Sequence, residues 1–301
     1  MGVLRGTARL LLDEHKRRPF SGSLLELGKM FIFFTASELD GWAREQGVEL
    51  TSAPNELSHD PVLARHQCID DRSFFAKLGF DEIRSSDVEA WEGADILWDL
   101  NRPAPEDLHE RFDVVFEGGT IQHVFHLPQV FKNIHAVLQP GGRVIHGICP
   151  SSNNVDLGFY MFSPTLFLDY YTANKWKIET FYFFDYIAYW IDGLMQTSRF
   201  QVRRYEAGCL DHLSYGRVGN RQIGLFIVAT KTEDSTADVI PQQGFYRSLW
   251  KDTAVAEEGT AQPPDTVPTG LARRLLHGWK FGAEVVRRWG PKKLPPVIAR
   301  Y

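Results

Sequence analysis

The amino-acid sequence predicts an α/β fold with a mainly parallel sheet. Between residues 80 and 148, short apolar runs alternate with a helical pattern and sharp glycine turns, the rhythm of strands joined by crossovers. Acidic residues stand at three of the apolar runs, Glu26, Asp87 and Asp99, and ligands of such sheets sit at the carboxyl ends of the strands. With 301 residues, 44% hydrophobic and 24% charged, the chain has room for one such domain and additions.

The elements follow in order. Residues 1–18 read as a helix with Leu4, Leu11 and Leu12 among basic residues, ended by Pro19. Residues 23–28 (SLLELG) are a buried strand and turn. Residues 37–47 form a helix with Ser37 as its cap; 51–60, with Pro54 and Asn55, are a loop. A second helix spans 70–78, with Phe74, Phe75 and Leu78 on one side and Gly79 as its stop. Strands are expected at 80–85, 94–97 and 112–116 (FDVVF), the last running into Glu117-Gly118-Gly119. Val130, Ile134 and Val137 give 127–138 a helical spacing; Pro140-Gly141-Gly142 is a turn, and 143–148 the next strand. Two long β segments, 177–184 and 222–231, close the sheet. The aromatic stretch 180–190 reads as core, with a substrate lid as the alternative.

Composition then changes. Residues 233–268 hold few large apolar side chains and read as a linker or loose extension. Residues 269–301 read as a basic amphipathic helix: 271–300 carry eight Lys and Arg against Glu284 alone, beside Leu275, Trp279, Val286 and Trp289. Such a helix docks on the protein body or another subunit, or makes peripheral contact with an anionic membrane. The organisation is therefore a domain over 1–232 with an insertion at about 37–79, an extension over 233–268 and a helix over 269–301.

Net charge is −5, which speaks against nucleic acid as a partner. Cys68, Cys149 and Cys209 are far apart with no CxxC pair, so no metal is expected and a reducing compartment fits. No apolar run reaches the length of a membrane span and no secretory signal opens the sequence. The expected location is cytoplasmic.

Carboxylates at successive strand ends can accept the hydroxyls of a ribose or the amino group of an adenine, which points to a nucleoside-type ligand. Residues 112–148 read FDVVFEGGTIQHVFHLPQVFKNIHAVLQPGGRVIHGI. This segment resembles class I S-adenosylmethionine-dependent methyltransferases: an apolar strand with an early Asp (Asp113), a triplet (Gln122-His123-Val124) and a Pro-Gly-Gly turn before the next strand. The resemblance extends over about 23–231, most strongly here, and includes a likeness to methyltransferase-like proteins encoded with bacterial glycan or secondary-metabolite genes. It implies a Rossmann-like sheet of seven strands and S-adenosylmethionine as cofactor. Carried over by position, Glu26, Gly28 and Lys29 border the methionine part, Asp87 takes the ribose hydroxyls, Asp99 and Leu100 flank the adenine, and Glu117 and Gly118 sit by the transferring methyl. Three departures stand out: Gly28 is followed by Lys29-Met30-Phe31 where the family has further glycines, about sixty residues separate Gly28 from Asp87, which the insertion would explain, and Gln122 stands where the family's triplet has Glu.

Methyl transfer needs a group that removes a proton from the nucleophile, and histidine suits that near neutral pH. His123 and His146 are the candidates. Glu117 with His123 and His126 offers an alternative, metal-binding reading. Asn153, Asn154 and Tyr160, after the fifth strand, are candidate substrate contacts, Asn for sugar hydroxyls and Tyr for stacking. The expected function is methylation of an oxygen or nitrogen on a small molecule, a sugar of a glycan or natural product among them. The alternative is a catalytically inactive binding or scaffold subunit on the same fold.

Overall fold

The computed structural model describes residues 2–213, 219–244 and 294–301. Strands β2 (Ser23–Leu27), β4 (Glu82–Asp87), β5 (Ile96–Leu97), β6 (Phe112–Glu117), β7 (Leu138–Ser152), β8 (Lys177–Tyr186), β11 (Gln201–Arg204), β12 (Gln222–Thr230) and β13 (Ala299–Arg300) form one sheet in the order β13-β11-β8-β12-β7-β6-β2-β4-β5. Neighbours from β5 to β7 pair in parallel. Only β12 and β11 run against the other strands.

The chain starts in the middle of the sheet with β2, steps outward to β4 and β5, then returns to β6 on the other side of β2. That reversal opens a crevice at the carboxyl ends of β2 and β6, the place where α/β sheets bind ligands.

Strand alternation assigns the faces. Leu24, Val114 and Phe116 point into one apolar cluster with Leu10 and Leu11 of α1 (Arg5–Arg17) and Phe74 and Phe75 of α4 (Asp71–Lys77). Leu25, Leu27 and Val115 point into the other, with Val130 and Ile134 of α5 (Leu127–Val137) and Phe167 and Tyr171 of α6 (Pro164–Ala173). Each fully buried Leu or Phe contributes about 1.5–3 kcal/mol, so helices on both faces hold the sheet.

The insertion contains α2 (Ala36–Gln46), α3 (Pro61–Arg65) and α4. The cap of α2 is Thr35 rather than Ser37. Glu38 N donates to Thr35 Oγ1 at 3.2 Å, and Thr35 N to Glu38 Oε2 at 2.8 Å, a reciprocal capping box that places the cap two residues before Ser37. Asp60 caps α3, which the polar composition of 51–60 did not announce.

Three features exceed the expected seven strands. Strand β1 (Gly2–Val3) pairs in parallel with β3 (Phe31–Ile32), beside the loop after β2. The aromatic stretch 180–190 divides: Phe181, Phe183 and Phe184 are buried in β8, while β9 (Ala188–Ile191) and β10 (Leu194–Thr197) form a separate hairpin with Trp190 exposed. Strand β11 covers the outer edge of β8, with Phe200 stacked 4.2 Å from Phe184, and β13 pairs with β11. A strand at the edge leaves unpaired backbone groups, which these additions satisfy.

Residues 233–244 are irregular but not loose: Trp176 Nε1 donates to Thr236 O at 3.0 Å and Asn174 Nδ2 to Val239 O at 3.0 Å. Residues 245–268 of the expected extension, and the expected basic helix as far as 293, lie outside the described residues. Over the described part of that expected helix, residues 294–298 are irregular and β13 is extended, not helical. Among the described residues no helix is long and apolar enough to cross a membrane.

Candidate active site

Two cavities open at the crevice. The first, about 460 Å³, lies over the carboxyl ends of β2, β4 and β5 and is lined by Gly28, Asp87, Asp99, Leu100, Thr120 and His123, among others. The second, about 340 Å³, lies beyond the ends of β6 and β7 and is lined by Gly118, Gly119, Ile148, Asn154 and the hairpin residues Ala188, Trp190 and Met195. His123 lines both.

Asp87 ends β4. Its Oδ1 accepts the amide of Val88 at 2.7 Å and its Oδ2 that of Lys29 at 3.4 Å. Gly28, at φ +84°, makes the turn that brings Lys29 N to this carboxylate. Both hydrogen bonds of Asp99 fall on Oδ1, from the backbone and side-chain nitrogens of Asn101 at 2.9 and 2.8 Å. They hold the Asp99 carboxyl below its usual range. Leu100 and Trp98, buried in the second core cluster, supply the flat apolar wall beside it.

The segment that presents His123 is set by Glu117, at the end of β6. Glu117 is fully buried. Its Oε1 accepts the backbone amides of Gly119 and Thr120 at 2.6 Å each and of Ile121 at 3.3 Å. Successive amides aimed at one carboxylate fold the chain into the 3-10 turn Ile121–His123. Burial pushes the Glu117 carboxyl up, but the hydrogen bond and charge of His146, with the amides, more than offset it, and the carboxyl sits below its usual range. Thr120 donates its hydroxyl to the Leu27 carbonyl, tying the turn to β2. Partial burial lowers the His123 imidazole from its usual 6.5, which favours a neutral ring near neutral pH. The Gln122 amide nitrogen stands 3.4 Å from His123 Nε2 and donates to Gly119 O at 2.7 Å.

Several sequence expectations need correction. His146 is fully buried and lines neither cavity: Nε2 meets the Tyr171 hydroxyl at 2.7 Å and Nδ1 faces Glu117 Oε2 at 3.4 Å. Strand alternation places residue 146 on the α5–α6 face, away from the crevice. Glu117 likewise turns inward, so only the backbone at Gly118 borders the second cavity. The set Glu117, His123 and His126 does not converge, because the Glu117 carboxylate is committed to backbone amides, His146 and Cys149; Glu117, His146 and Cys149 form the compact group found among the described residues.

Glu26 is also fully buried and lies on the α4 face of the sheet, off the first cavity, with no hydrogen-bond partner for either oxygen. Burial, then the nearby Asp71 charge, push its carboxyl well above the usual range. Lys29 is buried beside it and pairs with Asp71 at 2.5 Å. It reaches the crevice only through its backbone amide.

Of the substrate candidates, Asn154 lines the second cavity. Asn153 donates to the carbonyls of Gly219 and Arg221 at 2.8 and 2.7 Å and borders a separate hollow. The Tyr160 hydroxyl donates to Phe125 O at 2.6 Å. Sequence reasoning missed Thr120, Asn101 and the hairpin residues Trp190 and Met195. The available signal for the hairpin was Asp192-Gly193 between the apolar runs 187–191 and 194–195.

Residues 100–146 match a family model described as a methyltransferase domain. No curated protein matches the chain. Among solved structures, a S-adenosylmethionine-dependent methyltransferase of Thermotoga maritima, described as a possible histamine N-methyltransferase, is 15% identical, covers 76% of this chain and 91% of its own, and gives a TM-score of 0.33. The 1,6-didemethyltoxoflavin-N1-methyltransferase of Burkholderia thailandensis, bound to 1,6-didemethyltoxoflavin and S-adenosylhomocysteine, is 13% identical, covers 76% and 78%, and gives 0.29. A geranyl diphosphate methyltransferase in complex with the methylated cofactor is 14% identical, covers 76% and 85%, and gives 0.36. At such scores these likenesses decide nothing about individual residues.

Proposed function

We propose that this chain is a methyltransferase that uses S-adenosylmethionine to methylate an oxygen or nitrogen of a small molecule. The observation that carries the reading is that a cavity walled by strand-end carboxylates and a second, largely apolar cavity meet at one histidine. The residues of the first fit an adenosyl group: Asp87 can accept two ribose hydroxyls, and Asp99 Oδ2 can accept an adenine amino group over Leu100 and Trp98. The match of 100–146 to a methyltransferase domain supports it.

Held there by Asp87 and Asp99, S-adenosylmethionine would supply an electrophilic methyl on its sulfonium, with sulfur as the leaving group that keeps the bonding pair. The chain's own residues do the rest. His123 takes the proton that the acceptor atom gives up, Gln122 orients its ring, and Glu117 holds the turn that places it. Holding acceptor and methyl in line is the larger share of the acceleration, and general-base removal adds about 10²–10⁴-fold.

The alternative, a scaffold subunit that has lost the cofactor, draws on the bulk of Lys29 and Met30 after Gly28. Both side chains turn into the protein, Met30 into the first core cluster and Lys29 onto Asp71, so neither fills the cavity. Calorimetric titration with S-adenosylhomocysteine decides between the two. Micromolar binding supports the enzyme; no heat and no thermal shift would leave the scaffold.

A further inference from the structure

The second cavity has a chemical character that the proposed activity does not require. It rests on that activity in one respect, that the cavity holds the methyl acceptor. Its wall is built from Leu4, Phe33, Ile148, Leu157, Trp190 and Met195, and among the described residues no Asp, Glu, Lys or Arg lines it. Tyr186 also lines it, but burial pushes that phenol up to about 12, so it stays a neutral hydroxyl. An ionised ligand would lose its hydration here with no charged side chain among the described lining residues to replace it, which costs several kcal/mol.

The amides of the wall are already engaged, save Gln122 Oε1, which is buried without a partner. Gln222 Nε2 donates to Asn154 Oδ1 at 3.2 Å, and Gln222 Oε1 accepts Ala188 N at 3.0 Å. Asn154 Nδ2 donates to Ser152 O at 2.7 Å. Gln122 donates inward, to Gly119 O. A polyhydroxylated ring would therefore meet few free partners, and each unsatisfied buried hydroxyl costs about 1–3 kcal/mol. The volume, about 340 Å³, is near the lower limit of ligand cavities. The outer wall is the β9–β10 hairpin, whose Trp190, Ile191 and Tyr189 are 67%, 53% and 44% exposed, so the mouth is apolar as well.

We propose that the methyl acceptor is an uncharged, mainly apolar molecule of one or two rings that brings a single hydroxyl or amino group to His123. This departs from the sugar that the sequence suggested. The acceptor's polar atom meets the one basic side chain of the cavity, and its rings lie against Ile148, Leu157 and the inner face of the hairpin.

The test uses the full chain. S-adenosylhomocysteine binding is measured first, by calorimetry, and gauges the cofactor reading alone. With that ligand saturating, two panels are then titrated, following tryptophan fluorescence. One holds uncharged ring alcohols and amines such as 1-naphthol, 2-naphthylamine and 4-phenylphenol. The other holds methyl glucosides and the charged analogues 1-naphthyl phosphate and 1-naphthoate. The proposal expects micromolar binding from the first panel and at least tenfold weaker binding from the second. Met195→Glu, on the hairpin, should weaken the best apolar ligand at least tenfold and leave S-adenosylhomocysteine unchanged; Trp190→Ala should weaken it several-fold. If no member of the first panel binds, if a glucoside or charged analogue binds as well, or if Met195→Glu leaves apolar binding intact, the acceptor class is wrong. Failure of S-adenosylhomocysteine alone, with the apolar panel binding, would overturn the cofactor reading and keep the cavity's chemistry.

Discussion

Replacing Asp87 with asparagine removes one acceptor and one charge from the first cavity and little else. Asn keeps an oxygen for the Val88 amide at 2.7 Å, and the bond it gives up, from Lys29 N, is already long at 3.4 Å. The fold should therefore be unchanged. A hydrogen bond to a charged group contributes about 1.5–3 kcal/mol, and about 1.4 kcal/mol is tenfold in affinity. If Asp87 holds a ribose hydroxyl, Asp87→Asn should weaken S-adenosylhomocysteine about 10- to 150-fold by calorimetry. Asp95 is the control. It lies ten residues from Ser85, accepts its amide at 2.9 Å, pairs with Arg72 and does not line the cavity. Asp95→Asn should lower the melting temperature and leave the affinity alone. Unchanged affinity in Asp87→Asn, or an equal loss in Asp95→Asn, would refute the placement of the ribose.

Three further outcomes are expected. His123→Asn should cut turnover about 10²–10⁴-fold with cofactor affinity kept. Because the folded pKa of His123 lies below its usual 6.5, the wild-type rate should climb as pH rises through that lower value and be level at neutral pH; a rate still climbing above pH 7 would exclude His123 as the base. Glu117→Gln should lose about 1.5–3 kcal/mol, since a charged acceptor of three backbone amides becomes a neutral one; chemical denaturation measures it, and turnover should fall with it as His123 loses its support. Glu26→Gln should do the opposite. Its carboxyl is held protonated in the folded state, with the pKa raised above the unfolded 4.5, so the wild type is most stable below that value and loses stability as pH rises through the window above it. The substitution should raise the melting temperature at pH 8, by an amount that vanishes towards pH 4.

The parallel half of the sheet was legible because each strand carries its own signal. FDVVF is apolar on both faces, as a strand covered by helices must be, and the capping glycine Gly47 marks the end of α2. What could not be read was direction. A strand-end acid looks the same whether it faces the crevice, as Asp87 does, or the opposite core, as Glu26 does. The difference is one residue of pleat. His146 misled for the same reason. Short strands such as β1 and β3, two residues each, have no periodicity to detect and exist through tertiary pairing. The β9–β10 hairpin was readable from Asp192-Gly193, both at positive φ between paired Ile191 and Leu194, a two-residue turn signal that the aromatic run continuous with β8 drew attention away from.

The glycine-poor loop after β2 raises a separate question, because close backbone approach at such a crevice ordinarily calls for glycine on the loop itself. Here the requirement is divided between two elements. Gly28 alone takes the positive φ. The bulk of Met30 is admitted from the other side: a Cβ on Gly118 would stand 2.6 Å from Met30 Sδ, a distance no real contact allows. The small residue has thus moved from the loop to the end of β6, and Met30 packs over it into the first core cluster. Lys29, buried against Asp71 of α4, and the β1–β3 pair then hold the loop where glycines would have left it free. A loop fixed in this way arrives preformed, so its amide at Lys29 is already aimed at Asp87 before any ligand binds. Gly118→Ala should therefore displace Met30, weaken S-adenosylhomocysteine and lower stability together, whereas Met30→Ala, which empties the contact without forcing the loop, should lower stability by about 2–5 kcal/mol and reduce the further cost of alanine at 118 to that of its tight contacts with Phe116 and the Gly2 carbonyl. Additive losses in the double variant would show that Met30 and Gly118 do not share one contact.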